Sequence, residues 1–386
     1  MSNNKNFVVK NGLSVGTRYL QTGGTETAGS VGYNLAGAEY VGKSFSTATQ
    51  DTSPADFALK SDGSKLFVMG QTNETLYQYS LSTSWDISTA SYDSVSFLLT
   101  SQMTSVISMH FKPDGTKVYL ASNAPNDEIL QYSLSTAWDL STISYDSKSF
   151  DTSSQSTSPF GLFFKHDGTK MYVQSSAPTD AVFQYSLSTA WDVSTASYDS
   201  VTFDVSPQAP APYGIDFKSD GTKMYVVDIA GEEAVFQYTL STAWDLSTAS
   251  YDSVSFTFTP QDTFPRSALF GDSGSKLYMS GLAGDSIYQY STVAYTQTLD
   301  LSTGSYFSFT ASGATTVSFT NAPASGKAVG FAVEINGDGS AVTWPSSVKW
   351  HGGVAPTVTA SKEVYAFVTT DGGTTYYGKQ AGAYLE

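Results

Sequence analysis

Apolar and polar residues alternate in four short runs between residues 159 and 203. The first run, "PFGLFFKHDG", ends in an Asp-Gly pair, and "TKMYVQS" alternates on the far side of that pair. An Asp-Gly pair between alternating runs predicts a tight β-hairpin. The runs "AVFQYSL" and "SYDSVTF" follow, and in the last one Tyr198, Val201 and Phe203 are the predicted buried residues. The pattern predicts four short antiparallel strands.

This four-run pattern recurs along the chain at intervals of 52 or 53 residues. The interval follows from the turn glycines, which are Gly63, Gly115, Gly168, Gly221 and Gly274, and from the tryptophans Trp85, Trp138, Trp191 and Trp244. Four short strands in a period of about 50 residues are typical of one β-propeller blade. The repeats therefore predict an all-β fold that contains a propeller.

The fifth copy of the repeat lacks its fourth strand. The segment "AEYVGKSFSTATQ" (38–50), which precedes the first copy, aligns with the fourth-strand segment "ASYDSVSFLLTSQ" (90–102). A strand supplied from there would pair with the last blade and remove an open sheet edge. We therefore predict a five-bladed propeller over residues 38–293, closed by its own N-terminal strand.

Both ends of the chain depart from the repeat. Residues 294–386 alternate strictly, with N-G-D-G and D-G-G turns, which predicts a separate C-terminal antiparallel β-sandwich. The "NGDGS" segment (336–340) is either an ordinary hairpin turn or a calcium site. Residues 1–37 are rich in Gly, Asn and Thr and contain a strand-turn-strand pattern in "NFVVKNGLSVGTRYL". A strand pair of this size is marginal alone, so we predict an N-terminal arm ordered by a partner or by copies of itself.

The aromatic residues have two interpretations. The repeated tryptophans either stack on sugars or pack as wedges between blades, and their fixed frame in "STAWDLSTAS" favours packing. The aspartate of each "WD" pair is expected to cap the following turn. For Trp344, Trp350, Tyr376 and Tyr377 in the C-terminal domain, core packing is again favoured over a sugar platform.

Composition and charge exclude several classes of function. The chain has no cysteine and three scattered histidines, which excludes disulfides and predicts neither a metal nor a cofactor. A net charge of −16 argues against binding to nucleic acid, because phosphate neutralisation needs surplus Lys and Arg. No apolar run is long enough for a signal peptide or a membrane span, so membrane insertion is not expected. An adhesin-like composition without an export signal favours a virion component, made in the host cytoplasm and released by lysis.

The connections between the predicted strands differ in how much they vary. The Asp-Gly turns and the "LSTAWDLSTAS" loops are nearly constant, and we call their end of the propeller the constant face. The connections between second and third strands (70–76, 122–129, 175–182, 228–235 and 281–287) and those between blades vary, and they form the variable face. Divergent loops on one face are where binding is usually built, although drift in solvent loops gives the same pattern. The candidate receptor-binding residues are Asn73, Glu74, Asn126, Asp127, Thr179, Asp180, Glu232, Glu233 and Asp285.

An enzymatic role is not expected. A glycosidase needs two carboxylates held across the scissile bond, and the inner strands offer only Asp56 and Asp216. No Ser/His/Asp order and no metal-ligand spacing stands out. We therefore name no catalytic residue, and a glycan-degrading propeller remains the least favoured alternative.

Two resemblances extend this picture. The motif in "PFGLFFKHDGTKMYV" (159–173) and "PYGIDFKSDGTKMYV" (212–226) resembles the YVTN-type β-propeller repeats over residues 38 to about 292. The opening "NFVVKNGLSV" and the run "VTWPSSVKWHGGVAPTVTASKEVYAFVTTDGGTTYYG" (342–378) resemble bacteriophage tail-fibre and other virion proteins.

The second resemblance implies a phage tail fibre or similar appendage that recognises a host surface through its propeller. The expected partners are other virion proteins, reached through the N-terminal arm, and a host-surface glycan or protein. Fibres of this kind are commonly trimeric, so a homo-oligomer is expected. A capsid decoration or head-fibre protein that binds no receptor is the alternative within the virion.

Overall fold

The computed structural model describes residues 21–22, 25–28, 32–99, 102–103, 105–123, 126–293, 295–311, 315–337, 339 and 342–384. The chain is all-β, and its helices in these ranges are short 3₁₀ turns. It divides into two compact units, Ser30–Val293 and a second unit formed by Ala294–Glu386 with the segment up to Gly29.

The first unit is a five-bladed β-propeller built from antiparallel four-stranded sheets. Blade 1 consists of Pro54–Leu59, Lys65–Gly70, Thr75–Leu81 and Ala90–Leu98. Blade 2 consists of Val106–Phe111, Lys117–Ser122, Glu128–Leu134 and Ile143–Asp151. Blade 3 consists of Pro159–Phe164, Lys170–Ser175, Ala181–Leu187 and Ala196–Asp204. Blade 4 consists of Pro212–Phe217, Lys223–Asp228, Ala234–Leu240 and Ala249–Thr257.

Blade 5 takes its strands from both ends of the repeat region. Its first three strands are Pro265–Gly271, Lys276–Gly281 and Ser286–Ser291, and the fourth position is occupied by Glu39–Ser46. The last two strands run antiparallel, with Ile287 opposite Phe45 and Tyr290 opposite Tyr40. The first strands of neighbouring blades contact one another from blade 1 to blade 5 and back to blade 1.

Each fourth strand contains an irregularity that the alternation pattern does not reveal. In blade 3, Tyr185 pairs with Tyr198, but the preceding Gln184 pairs with Val201. Asp199 and Ser200 form the bulge between them, and Ser200 has a φ of 59°. The predicted buried residues Tyr198, Val201 and Phe203 are half-buried in this outer strand.

The repeated tryptophans pack between blades, as the fixed frame predicted. Trp138 stacks on Phe111 with 5.2 Å between ring centroids, and it also contacts Phe67 of blade 1 at 5.9 Å. The backbone N–H of Trp138 donates to the carbonyl of the turn glycine Gly115 over 3.0 Å. A Cβ at Gly115 would lie 2.2 Å from the indole, so this position requires glycine for space as well as for its φ of 74°.

A 3₁₀ turn follows each tryptophan and packs on the fourth strand of the preceding blade. These turns are Ile87–Thr89, Leu140–Thr142, Val193–Thr195 and Leu246–Thr248. The aspartate before each turn accepts a hydrogen bond from a backbone N–H within it, for example Asp192 from Ser194 over 3.2 Å. The predicted capping role of the "WD" aspartate is confirmed.

The equivalent wedge for blade 5 lies before the closing strand and was not predicted. Tyr33 occupies the tryptophan position, with a φ of 56° and an N–H that donates to the Gly274 carbonyl. The 3₁₀ turn Leu35–Gly37 follows, and Leu35 is fully buried. The predicted boundary between residues 37 and 38 therefore leaves Tyr33 and this turn outside the propeller, whereas the compact unit begins at Ser30. The repeat is hidden there because Tyr stands where the other copies have Trp.

Buried glutamines of the third strands link neighbouring blades. In blade 3, Gln184 donates from Nε2 to Asp199 over 2.8 Å, and its Oε1 accepts from the Leu246 N–H of blade 4 over 3.0 Å. Gln78, Gln131 and Gln289 accept in the same way from Leu140, Val193 and Ile87. One repeated residue therefore stabilises both its own blade and the interface to the next.

Replacing Gln184 by alanine should lower the free energy of unfolding by about 1–3 kcal/mol, because the Leu246 N–H would be buried without its acceptor. Chemical denaturation of the whole chain measures this change. Ser188→Ala, at an exposed position after the same strand, should change stability by less than about 0.5 kcal/mol. Equal effects of the two substitutions would contradict the bridging role.

The second unit contains a six-stranded and a four-stranded sheet. In order, the six strands are Gln21–Thr22, Tyr306–Thr310, Val329–Asn336, Lys362–Thr369, Tyr376–Tyr384 and Val348–Trp350. The four strands are Thr25–Ala28, Tyr295–Asp300, Thr315–Thr320 and Val342–Thr343. Residues from both sheets, including Val317 and Val333, contribute to one hydrophobic core.

The predicted antiparallel arrangement of residues 294–386 is wrong for most strand pairs. Tyr295–Asp300 runs parallel to Thr315–Thr320, and Tyr306–Thr310 runs parallel to Val329–Asn336. The reason is that strands from Tyr295–Asp300 to Val342–Thr343 alternate between the two sheets, so the parallel pairs among them join each strand to the next but one. Only Val329–Asn336, Lys362–Thr369 and Tyr376–Tyr384 form antiparallel pairs in the described C-terminal segment. The D-G-G turn joins the last two, as predicted.

The predicted N-terminal arm, residues 1–37, does not behave as one segment. Gln21–Thr22 and Thr25–Ala28 pair with strands of the second unit, whereas Tyr33 and Leu35 belong to the propeller. The strand-turn-strand pattern of residues 6–20 lies outside the described residues. The same holds for Asp338 and Ser340 of the "NGDGS" segment.

Among the C-terminal aromatic residues, core packing is confirmed for Trp344 and Tyr376, which are buried. Trp350 is half-buried against the same core, with its ring centroid 5.3 Å from that of Trp344. Tyr377 differs, since 59% of it is exposed. Strand alternation explains the difference, because consecutive residues face opposite sides of a sheet.

Candidate functional site

The nine candidate receptor-binding residues lie in the connections between second and third strands. These are Asn73 and Glu74 in blade 1, Asn126 and Asp127 in blade 2, Thr179 and Asp180 in blade 3, Glu232 and Glu233 in blade 4, and Asp285 in blade 5. In an antiparallel blade, these connections lie at the same end as those leading from fourth strands to the next blade. The topology therefore brings all nine to the variable face.

Five of the nine residues stabilise the blade through their backbone carbonyl groups. The carbonyl groups of Glu74, Asp127, Asp180, Glu233 and Asp285 accept hydrogen bonds from the residue that follows the neighbouring fourth strand, over 2.8–3.1 Å. Four of these residues, all except Asp180, also have φ values between 45° and 51°. This left-handed conformation is uncommon for residues other than glycine. Turn geometry therefore explains part of the acidic pattern without a ligand.

Glu74 has a structural role in its side chain as well. Its carboxylate accepts hydrogen bonds from the N–H groups of Ser105 and Val106, over 2.8 and 3.0 Å. These residues begin the first strand of blade 2, so Glu74 fixes the neighbouring blade. This use makes Glu74 a poor candidate for receptor contact.

Four of the nine remain at the surface. Asn73, Asn126, Thr179 and Glu232 are exposed, each one residue before the turn position described above. Asn73 is oriented by its Nδ2, which donates to the Gln50 carbonyl over 3.0 Å. These four side chains are the part of the predicted set that is best placed to meet another molecule.

Two buried aspartates that were not singled out in the sequence hold the variable-face loops in place. Asp51 accepts hydrogen bonds from the N–H groups of Ser53, Thr72 and Asn73. Asp262 does the same in blade 5, with Phe264, Ala283 and Gly284 as donors. A "QD" pair precedes the first strand of both blades, and this shared pair could have identified the two aspartates from the sequence. The loop ends are thus fixed, although their sequences vary.

The first strands surround a central channel with a cavity of about 280 Å³. Its lining combines aromatic side chains, among them Phe57, Phe163 and Trp138, with Asp56, His110, Asp216 and Arg266. The channel therefore contains both carboxylates that the sequence offered as catalytic candidates.

Both carboxylates bridge blades through backbone N–H groups. Asp56 accepts from Met109 of blade 2 over 2.8 Å and from the Ser108 hydroxyl over 2.8 Å. Asp216 accepts from Phe270 of blade 5 over 2.9 Å. These hydrogen bonds give both acids a structural role between neighbouring blades.

Burial changes the ionisation of both groups. It raises the pKa of Asp56, although hydrogen bonds from Ser267 and Met109 oppose the effect. Burial also raises the pKa of Asp216, from 3.8 to about 7, against hydrogen bonds from Phe270 and Phe217. Asp216 is therefore substantially protonated at neutral pH.

His110 is neutral in the same channel. Its ring lies 4.8 Å from that of Phe163, and burial together with the nearby His166 lowers its pKa to about 3. So low a pKa makes the neutral imidazole of His110 a weak base. In the described ranges, no group of three or more His, Asp or Glu residues is arranged to hold a metal ion.

The remaining charged residue of the channel is Arg266, which the sequence analysis did not single out. It is the second residue of the first strand of blade 5, where the other copies have Ala55, Ile107, Phe160 and Tyr213. Its guanidinium carbon lies 4.5 Å from the ring centroid of Tyr213, and Nη1 donates to the Tyr213 hydroxyl. The sequence signal was the single arginine of the repeat region, in "FPRSALF".

Comparisons with known proteins give little beyond this geometry. No family model matches the sequence, and neither does any curated protein. Similar solved structures include a protein of unknown function from Desulfotomaculum acetoxidans, at 15% identity and a TM-score of 0.36, over 63% of this chain and 70% of that one. Another is a Bacteroides uniformis protein proposed to be a 6-phosphogluconolactonase, at 15% identity and a TM-score of 0.40, over 59% of this chain and 63% of that one. Similarity this distant does not bear on activity.

None of the helices in the described part of the chain is long and apolar enough to span a membrane.

Proposed function

We propose that this chain is a structural protein of a bacteriophage virion, a tail fibre or similar appendage, and that the variable face of its propeller recognises a host surface. The observation that carries the proposal is the contrast between the two kinds of position on that face. Glu74, Asp51 and Asp262 hold loop ends in blades 1 and 5, whereas Asn73, Asn126, Thr179 and Glu232 are exposed in the corresponding loops of blades 1 to 4. A fixed frame with divergent exposed side chains suits recognition.

The hydrogen bonding of the two described channel acids supports binding over catalysis. Asp56 and Asp216 accept backbone N–H groups of the adjacent blade, and His110 is neutral. A glycosidase would instead need two carboxylates free to act on the scissile bond.

The proposal also assigns roles to the closing strand, the C-terminal unit and the N-terminal segment. Glu39–Ser46 acts as the strand that closes the propeller ring, and residues 294–386 form a C-terminal β-sandwich. The N-terminal segment attaches the protein to other virion proteins. Several copies on one particle convert weak contacts into stable adhesion, which favours a homo-oligomer.

The test replaces Asn73, Asn126, Thr179 and Glu232 together by alanine in the full chain. We expect binding to a panel of bacterial cells and their surface polysaccharides to fall at least tenfold, measured by biolayer interferometry. The matched control replaces Ser82, Ser135, Ser188 and Ser241, exposed on the constant face, and should bind as the parent does. A chain that binds no cell in the panel, or equal losses in both variants, would overturn recognition by this face.

The position on the particle is a separate question, which cryo-electron microscopy of labelled virions answers. Density on distal fibres supports an appendage. Density spread over the capsid would contradict an appendage and favour the alternative, a capsid decoration protein. The absence of label from every particle would remove the virion proposal.

A further inference from the structure

Among the described residues of the propeller, Arg266 differs from the other cations in having no carboxylate partner. All the lysines in residues 32–293 form ion pairs with aspartates over 2.5–3.1 Å, for example Lys276 with Asp272 and Lys218 with Asp220. None of the ion pairs within these described residues includes Arg266. In a chain with a net charge of −16, an arginine without a counterion is conspicuous.

The guanidinium of Arg266 is held in place but incompletely hydrogen-bonded. Nη1 donates to the Tyr213 hydroxyl, and the planar group lies over the Tyr213 ring. Nε is shielded from solvent and has no acceptor among the described protein groups. Nη2 is not shielded in this way and has no hydrogen bond within the described residues, so it is left to donate to an acceptor from another molecule.

The nearest channel acid does not serve as the counterion. Asp56 directs its carboxylate to the N–H groups of Phe57 and Met109 and to the Ser108 hydroxyl. Tyr213 is itself buried and stacks on Phe160, with 4.7 Å between ring centroids. Three successive blades thus form a ladder of Phe160, Tyr213 and Arg266.

This ladder lies toward the variable face, because its members are second residues of first strands, which begin at that end. Phe160 and Arg266 both line the channel cavity of about 280 Å³. An arginine fork pairs in a bidentate manner with a carboxylate, and apolar walls with a few polar groups are typical of small-molecule sites. The acidic variable face repels multiply charged anions more strongly than a single carboxylate.

We propose that Arg266 binds the carboxylate of an acidic sugar, such as a uronic acid unit, in the channel cavity at its variable-face end. The proposal rests on the proposed recognition function and names the ligand class for the same face. The guanidinium donates to the carboxylate from its Nη groups, while Nη1 also donates to the Tyr213 hydroxyl and holds the group in place. The sugar ring occupies the space beside Phe160.

The chain suits a direct test, because it contains two arginines, Arg18 and Arg266. The full chain labelled with ¹⁵N-arginine gives two Nε–H signals, and Arg18→Lys assigns the one from Arg266. Titration with methyl β-D-glucuronoside should shift the Arg266 signal saturably, whereas methyl β-D-glucoside should leave it unchanged. Sodium acetate and inorganic phosphate at the same concentration should shift it at least tenfold less.

Affinity measurements with variants complete the test. Arg266→Gln should weaken glucuronoside binding at least tenfold, and Arg266→Lys should weaken it to a smaller extent, since it keeps the charge but loses the fork. Lys276→Gln removes the same charge from the constant face of the same blade and should bind normally. Thermal unfolding of each variant shows whether it is folded.

Three results would overturn the inference: equal shifts with glucuronoside and glucoside, tighter binding of phosphate or acetate than of glucuronoside, or normal binding by Arg266→Gln. Its failure is distinguishable from failure of the proposed function. Loss of cell binding in the four-residue variant with no glucuronoside binding would leave recognition intact and remove this site. Glucuronoside binding without any cell binding would keep the Arg266 site and remove the proposed recognition of a host surface.

Discussion

Replacing Trp138 by alanine is expected to lower the free energy of unfolding by about 3–5 kcal/mol, in the range for deletion of a large aromatic side chain from a core. Trp138 is 8% exposed and contacts Phe111 of its own blade and Phe67 of blade 1. Removing the indole therefore opens a cavity between two blades. Because the first strands contact one another around the ring, weakening one interface should destabilise the whole propeller.

Equilibrium denaturation of the full chain, followed by circular dichroism, measures this loss. Phe264→Ala is the control, because that phenylalanine is 46% exposed and should contribute less than about 0.5 kcal/mol. Trp138→Phe should lose less than Trp138→Ala, since a phenyl ring still stacks on Phe111. A Trp138→Ala variant as stable as the parent would rule out the wedge role.

The propeller was predictable because the repeat constrains the sequence in several ways at once. Gly115 shows this, since its φ of 74° and its contact with Trp138 both exclude a side chain. Such positions recur unchanged at every 52 or 53 residues, and a period survives where single elements are ambiguous. Tyr33 escaped detection because it performs the tryptophan role with a different residue.

The strand pairing of the C-terminal unit was not predictable from the same kind of pattern. Alternation in Tyr306–Thr310 and Thr315–Thr320 correctly indicates strands with one buried face. It does not reveal whether a connection folds back within one sheet or crosses to the other. The D-G-G turn after Lys362–Thr369 does carry that information, because it favours a tight hairpin.

The candidate site was predictable as a face but not as a set of side chains. Sequence variation placed the candidates in the connections between second and third strands, yet it could not separate Glu74, which binds backbone N–H groups, from the exposed Asn73 beside it. Arg266 was missed because its importance depends on which other cations are paired. Ion pairing between residues as distant as Lys43 and Asp86 is a property of the fold.

The channel acids give the second large effect, a dependence of stability on pH. A carboxyl whose folded pKa lies above its unfolded value stabilises the fold fully below the unfolded pKa, and this contribution is lost as the pH rises through the folded pKa. For Asp216 these values are about 7 in the fold and 3.8 as the ordinary value. The contribution of Asp216 to stability should therefore be lost between about pH 4 and pH 7, and burial raises the pKa of Asp56 in the same direction.

Asp216→Asn should remove this loss, because an amide oxygen can still accept the Phe270 N–H but does not ionise. Each unit of pKa shift corresponds to about 1.4 kcal/mol, and partial exposure of Asp216 reduces the total. We therefore expect the stability of Asp216→Asn relative to the parent to be about 1–3 kcal/mol higher at pH 8 than at pH 4. Urea denaturation of both proteins at a series of pH values measures the gain.

Asp62→Asn serves as the control for this pH series. Hydrogen bonding to Lys60 and Ser64 lowers the pKa of Asp62 to about 2, so it stays ionised in the fold from pH 5 to pH 8 and should add no slope there. The stability curves of the parent and Asp62→Asn should therefore run parallel over that range, while that of Asp216→Asn diverges upward. If all three ran parallel from pH 4 to pH 8, the Asp216 carboxyl would be ionised in the fold throughout, and the channel would be more hydrated than its lining indicates.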